Sequence, residues 1–161
     1  MAEEVEMVDS YIYILNVRFA GDIHYEKHID ESLLAMEMPG MILQPIVENC
    51  VNHGIREMGD QGVIILSLYE KEERVYISVK DNGVGMSRET IDKVMSGTYR
   101  EEDMAAGGNG VGMDNVISRM RLFTGNEDVM AIRSEGRGTG TEVILCLTYR
   151  EPQEKEGTER K

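Results

Sequence analysis

Four groups of residues have types and spacings that could do chemistry. In Leu43 to Gly54, the side chains of Leu43, Ile46, Val47, Cys50 and Val51 form one apolar stripe at helical spacing. Glu48 and Asn52 stand four apart, as do Asn49 and His53, so an α-helix stacks each pair one turn above the other. An Asn carbonyl can ligate a hard cation such as Mg²⁺, a His one turn away can donate to phosphate, and a carboxylate beside them can polarise a hydroxyl or water. A solvated polar face accounts for the same stretch as well. The second group is "KDNGVGM", Lys80 to Met86. It reads as a turn, or as an Asp81 acceptor for the exocyclic amine of adenine, with Gly83 and Gly85 letting the backbone lie against a flat ring.

The third group, Gly108-Asn109-Gly110-Val111-Gly112, precedes a helix and would offer backbone N–H groups to anions. It lacks the upstream strand of a dinucleotide-binding fingerprint, and no GxxxxGK[ST] occurs in the chain. The fourth, "GRGTGTEV", sets Gly138, Gly140 and Thr141 at a strand start, as a plain hairpin turn also would.

The elements that must position these groups follow from periodicity. "EEVEMVDSYIYILNVRF" has helical spacing through Val5, Val8, Ile12, Leu15 and Phe19, and "GDIHYEKHID" alternates as a strand around Ile23, Tyr25 and Ile29. "GVIILSLYE" and "ERVYISVKD" form a hairpin turning at Lys71 to Glu73. Ser87 is placed to cap a short helix, Ser96 to Gly112 reads as a loop, and "MDNVISRMRLFTG" resumes a helix that stops at Gly125. A second hairpin, "VMAIRSE" to "TEVILCLTY", follows, and the stretch from Glu151 has the composition of a disordered tail. One sheet covered by helices is expected, an α/β sandwich in the α+β sense.

Composition narrows the partners. A net charge of −13 opposes a broad nucleic-acid or anionic-membrane surface, though not a small anion held by local donors. Cys50 and Cys146 lack CxxC spacing, so neither a zinc site nor a disulfide framework is indicated, and a reducing cytoplasmic setting is the simpler expectation. No apolar run is long enough to span a bilayer, and the start of the chain lacks a signal-peptide pattern.

In this order, the four groups resemble the ATP-binding catalytic domain of sensor histidine kinases, within the GHKL ATPase superfamily that also holds gyrase and MutL. The Glu48-Asn49 helix is similar to the family's N box, "DNGVGM" to its G1 box, "GNGVG" to its G2 box and "GTGT" to its terminal Gly-Thr element. "YIYILNVRF", "LQPIVENCVNHGI" and "GVGMDNVISRMRLFTG" look like the LytS-type subfamily, and the resemblance runs from about Glu3 to Thr148. It implies a two-layer, Bergerat-type sandwich: a mixed, mostly antiparallel sheet with three helices on one face and a Gly-rich ATP lid.

The resemblance also assigns roles. Asn49 would hold Mg²⁺ bridging the ATP phosphates, Glu48 would be the catalytic carboxylate, and Asn52 and His53 would face the nucleotide, His53 at the phosphates. Asp81 would accept from the adenine amine, with Gly83, Gly85 and Met86 shaping the base pocket and Thr141 supporting it. Gly108, Asn109, Gly110, Val111 and Gly112 would form the lid hinge near the phosphates.

A complete kinase also needs a phosphoacceptor His on a separate dimerisation helix. His24 and His28 lie on the expected strand and His53 in the N box, so the acceptor is expected upstream of this chain. Residues 1–20 are then a helix leading from that region, 21–149 the ATP-binding domain and 150–161 a tail. The implied setting is the cytoplasmic part of a membrane-anchored bacterial sensor, partnered by its own histidine-bearing helix and a response regulator, with membrane contact only through upstream segments and no direct nucleic acid. Tyr99, the one aromatic between Asp81 and Phe123, leaves the lid's packing open. A GHKL serine kinase or ATPase, or a non-catalytic nucleotide-binding scaffold, would use much of the same apparatus.

Overall fold

The computed structural model describes residues 1–18, 23–55, 62–99 and 111–148. Five strands make one sheet: β1 (Ile23–Ile29), β2 (Gly62–Lys71), β3 (Arg74–Asp81), β4 (Met130–Arg133) and β5 (Thr141–Cys146). Their order is β1-β2-β3-β5-β4, with β1 parallel to β2 and every other pair antiparallel. The α-helices are α1 (Ala2–Arg18), α2 (Leu43–Asn49), α3 (Arg88–Met95) and α4 (Val111–Thr124). The expected mixed, mostly antiparallel sheet with helices is what the chain forms.

Register explains why the alternating strands bury one face. Ile64 pairs with Asp81, Leu66 with Val79 and Leu68 with Ile77, while Val79 and Ile77 pair onward with Val143 and Leu145. Side chains two apart share a face, so these residues form one continuous apolar floor. Ile64, Leu66, Leu68, Ile77, Val79, Val143 and Leu145 are all buried. The buried side chains of all four helices join them in one core. Asp81 and Thr141 lie opposite each other at the end of that inner face, which aims a carboxylate into the sheet–helix interface. On the outer face Tyr69 stacks on Tyr76, with ring centroids 5.7 Å apart.

Helix α1 packs into the core through Val5, Val8 and Ile12. It also caps α2. The buried Glu4 carboxylate accepts from the backbone N–H of Met41 at 2.6 Å, Ile42 at 2.8 Å and Leu43 at 2.9 Å. Those groups have no partner within their own helix, and a carboxylate there also answers the helix dipole. Ser87 caps α3 as expected, accepting from Thr90 N–H at 3.1 Å, and Gly125 ends α4 at φ 68°.

Three expectations change. The helix begun at Leu43 is α-helical only to Asn49; Cys50–Ile55 continues as a wider π-helix. Helix α4 starts at Val111, so Gly112 lies in its first turn rather than in the preceding loop. Ser96 to Tyr99 is a turn bonded back onto α3, with Gly97 N–H donating to Val94 O and Thr98 and Tyr99 N–H both donating to Lys93 O. Phe19, residues 100–110 and the expected tail lie outside the described residues.

Candidate functional site

A cavity of about 630 Å³ opens between the inner end of β3, the α2 segment, α3 and the β4–β5 turn. Asn49, His53, Asp81, Gly85, Met86 and Thr141 line it, which brings six of the expected residues to one site. Its remaining walls include Ile46, Val94, Tyr99, Met113 and Val143, an apolar lining suited to a flat heterocycle.

Asp81 is 3% exposed and lines the cavity at the end of β3. Its Oδ1 accepts from Gly83 N–H at 2.7 Å. Burial pushes its pKa up, against the opposing hydrogen bonds from Gly83, the Cys50 thiol and the Thr141 backbone. The Cys50 thiol is raised well above its ordinary range by burial and by the neighbouring Asp81, so it stays protonated and donates. A buried acceptor partly satisfied from inside the protein is poised to take a further donor from a ligand.

Each position of "DNGVG" has a distinct task. Asn82 is structural: its Oδ1 accepts from Val63 N–H at 2.8 Å, tying the loop to β2. Gly83 presses on the backbone of Gly54, where any Cβ would overlap Gly54 Cα. Val84 N–H donates to Gly54 O at 3.0 Å. Gly85 has φ 73° and abuts Gly136 O, so it requires glycine twice over. Gly54 is itself confined, since a Cβ there would meet Asp81 Oδ1 at 2.9 Å. The π-helix thus places a bare backbone against both Gly83 and Asp81, and such widened turns recur at functional sites.

Asn49 and His53 also line the cavity, one on each side of the α-to-π change. Glu48, Asn52, Gly83 and Gly112 are expected residues that stand outside its lining. Asn52 is exposed and outside its lining, and Glu48, also outside, accepts from Gln44 Nε2 at 2.9 Å. Val111 and Gly112 open α4, where a Cβ on Gly112 would lie 3.3 Å from Pro45 Cβ of α2. Gly108, Asn109 and Gly110 lie outside the described residues. Among the described residues no cluster of three or more His, Cys, Asp or Glu could hold a metal ion. Asn49 offers the cavity one amide oxygen, a donor that would suit a hard cation whose other ligands come from elsewhere.

The profile of the family described as "Histidine kinase-, DNA gyrase B-, and HSP90-like ATPase" matches residues 40–151. The chain belongs to this family. It is 27% identical over 143 residues to the sensor protein LytS of Oceanobacillus iheyensis, covering 89% of this chain and 24% of that protein. It is 32% identical over 145 residues to the sensor histidine kinase YpdA of Escherichia coli, covering 90% and 24%. The chain thus spans about a quarter of these relatives. The nucleotide-free catalytic domain of histidine kinase ThkA has the same fold at TM-score 0.60 and 18% identity, covering 90% of this chain and 92% of that one.

The sequence did not single out Cys50 and Arg137, which line the cavity, or Ser134, whose hydroxyl accepts from Met86 N–H. Cys50 was visible only as part of an apolar stripe. Arg137 is the one Lys or Arg among the described lining residues, and it sat unremarked inside "GRGTG". Ser134 had no signal of its own.

Proposed function

We propose that this chain is the ATP-binding catalytic domain of a two-component sensor histidine kinase. The observation that carries the proposal is the buried Asp81 carboxylate in a cavity that Gly85, Asn49 and His53 also line. Asp81 would accept from the adenine 6-amino group, which guanine lacks at that position. Gly83, Gly85 and Met86 would flank the base, and Thr141 would support its edge. Asn49 would supply an oxygen to Mg²⁺ and His53 a donor to phosphate. Bound Mg²⁺ would offset the charge that develops on the phosphates during transfer. Gly108 to Gly112 would close on the phosphates, and Asn52 would act from the rim.

Phosphoryl transfer depends chiefly on positioning and charge stabilisation. The acceptor imidazole, on a dimerisation helix of the longer protein, attacks the γ-phosphorus; the bond to the β-phosphate oxygen breaks, ADP leaves and the imidazole loses a proton. Glu48 is the carboxylate assigned to assist that nitrogen, oriented by its bond to Gln44. Residues 1–20 would lead from the dimerisation region, 21–149 form the catalytic unit and 150–161 the tail. A response regulator would receive the phosphoryl group, and the domain would work on the cytoplasmic side of a membrane-anchored bacterial sensor. Among the described residues no helix is long and apolar enough to cross a membrane.

The test is calorimetry on this chain with ATP, GTP and ATP without Mg²⁺, titrated to millimolar nucleotide. Selective ATP binding is expected, together with phosphoryl transfer to a supplied histidine-bearing domain and no stable label on His24 or His28. No binding of any nucleotide would overturn the assignment.

A further inference from the structure

Resting on the purine assignment of the same cavity, we propose that Ser134 is a positioning residue for the base, fixing the wall formed by Gly85 and Met86. Ser134 follows β4 at the start of the β4–β5 turn and is half-buried. Its Oγ accepts from Met86 N–H at 2.9 Å and donates to Gly140 O at 2.7 Å. One hydroxyl therefore joins two stretches distant in sequence: the loop after β3 and the last residue before β5. A hydroxyl can donate once and accept twice, so both strong bonds form together.

The join lies inside a wider seam. Gly138 N–H donates to Val84 O at 2.6 Å and Gly140 N–H to Gly83 O at 3.0 Å. These backbone bonds tie Gly83 and Val84 to the turn. Met86, one residue past the point where Gly85 turns at positive φ, is held to the turn by the Ser134 side chain. Gly85 is already against Gly136 O, and a Cβ on it would come within 2.9 Å of Ser134 Oγ. Ser134 thereby sets how closely the Gly85–Met86 backbone stands to the cavity those residues line. Its own side chain is not among the lining groups, so its effect passes through Met86.

The hydroxyl does not carry the fold, because Gly138 and Gly140 bond the turn to the loop independently. Loss of Ser134 should therefore register in base affinity before it registers in stability. A wall displaced from van der Waals contact forfeits dispersion over the whole ring face.

The experiment measures adenosine, ATP and inorganic triphosphate binding to the full 161-residue chain, to Ser134→Ala and to Ser134→Thr, with a thermal scan of each. Ser134→Ala is expected to weaken adenosine and ATP by the same factor, roughly 10-fold for one partly buried hydrogen bond. Triphosphate affinity should stay unchanged, and Ser134→Thr, which keeps the hydroxyl, should recover most of the loss. Should Ser134→Ala lose its folding transition, Thr139→Val loosens the same turn, whose Oγ1 donates to Gly136 O at 2.7 Å, and is expected to cause a smaller loss in the same sense. Unchanged adenosine affinity in a folded Ser134→Ala, or an equal loss for triphosphate, overturns the inference while leaving the purine assignment standing. Failure of the parent chain to bind adenosine or ATP overturns both.

Discussion

At the base end of the cavity, the groups around Asp81 are themselves held. Gly83 is locked on Gly54, Val84 is bonded to Gly54 O and to Gly138 N–H, and Met86 is tied to Ser134. The side chains of Asn49 and His53, which line the same cavity, make no hydrogen bond or ion pair to another described residue. The surroundings of Asp81 are thus built from bonds within the chain, whereas Asn49 and His53 present groups whose partners a ligand would supply. A flat ring of fixed shape rewards preorganised walls, because little ordering remains to oppose binding. A solvated, flexible chain of phosphates is matched as well by side chains that order around it.

The sharpest break lies at Gly83. A Cβ there meets backbone, not a side chain that could rotate away, so neither strand end nor π-helix can yield cheaply. Gly83→Ala is expected to cost about 3 kcal/mol or more of stability, the upper range for forced overpacking. Urea unfolding with an unchanged slope and a much lower midpoint would report it. A variant as stable as the parent would mean that the base end is not locked.

Asp81→Asn separates function from stability at the same end. Replacing the carboxylate removes a charge-assisted acceptor, and adenine nucleotide affinity should fall about 10- to 100-fold. The fold should not suffer. Burial raises the Asp81 pKa in the folded chain above the ordinary 3.8, so the folded state holds this proton more tightly than the unfolded state. The ionised side chain therefore costs stability at neutral pH, a cost absent below 3.8 and growing as pH rises from there through the folded pKa. The thermal midpoint of Asp81→Asn should equal or exceed that of the parent at pH 7 and lose the parent's decline across that window. In the parent, ATP affinity should drop as pH falls through the same window, because a protonated carboxyl no longer offers two acceptor oxygens.

Much of this contrast was legible in the residues. Spacing gave both hairpins, the Ser87 cap and the Gly125 stop, because each is a local pattern. The stretch Asp-Asn-Gly-x-Gly after a strand read equally as a turn, and only its resemblance to a known motif singled out Asp81 and Gly85, which the structure brings to the cavity. The π-helix was not legible: the apolar stripe continues through Cys50 and Val51, and its widening is fixed by the approach of Gly54 to Gly83 and Asp81, a contact across 29 and 27 positions of sequence. For the same reason Asn52, predicted at α-helical spacing from Glu48, is exposed beside the cavity rather than in its lining. Glu4 and Ser134 also escaped notice. Each acts through backbone groups far along the chain, and nothing in the type or spacing of a lone Glu or Ser announces such a partner.

Asn49→Ala probes the other group. Nothing else among the described residues leans on that side chain, so the urea midpoint should stay close to the parent's. Magnesium-dependent gain in ATP affinity should shrink roughly 10-fold, as for one lost charge-assisted contact, while adenosine binding is untouched. A loss of adenosine affinity equal to that of ATP would erase the distinction between the two groups.

The smallest effect is expected far from both. The β2–β3 turn places Glu72 at φ 52° and Glu73 at φ 59°, with Lys71 paired to Arg74. Two successive left-handed residues form the turn whose twist matches a hairpin, yet neither glutamate favours that conformation, and their like charges adjoin. Asn and Gly do favour it. The double change Glu72→Asn and Glu73→Gly should therefore stabilise the chain by about 1 kcal/mol, read as a raised urea midpoint at constant slope. ATP and adenosine affinities should not move, because the turn lies at the opposite end of β3 from Asp81. A shift in affinity with stability would imply that the base wall responds to the global stability of the sheet rather than to its own bonds, and the preorganisation inferred at Gly83 and Ser134 would then belong to the whole fold.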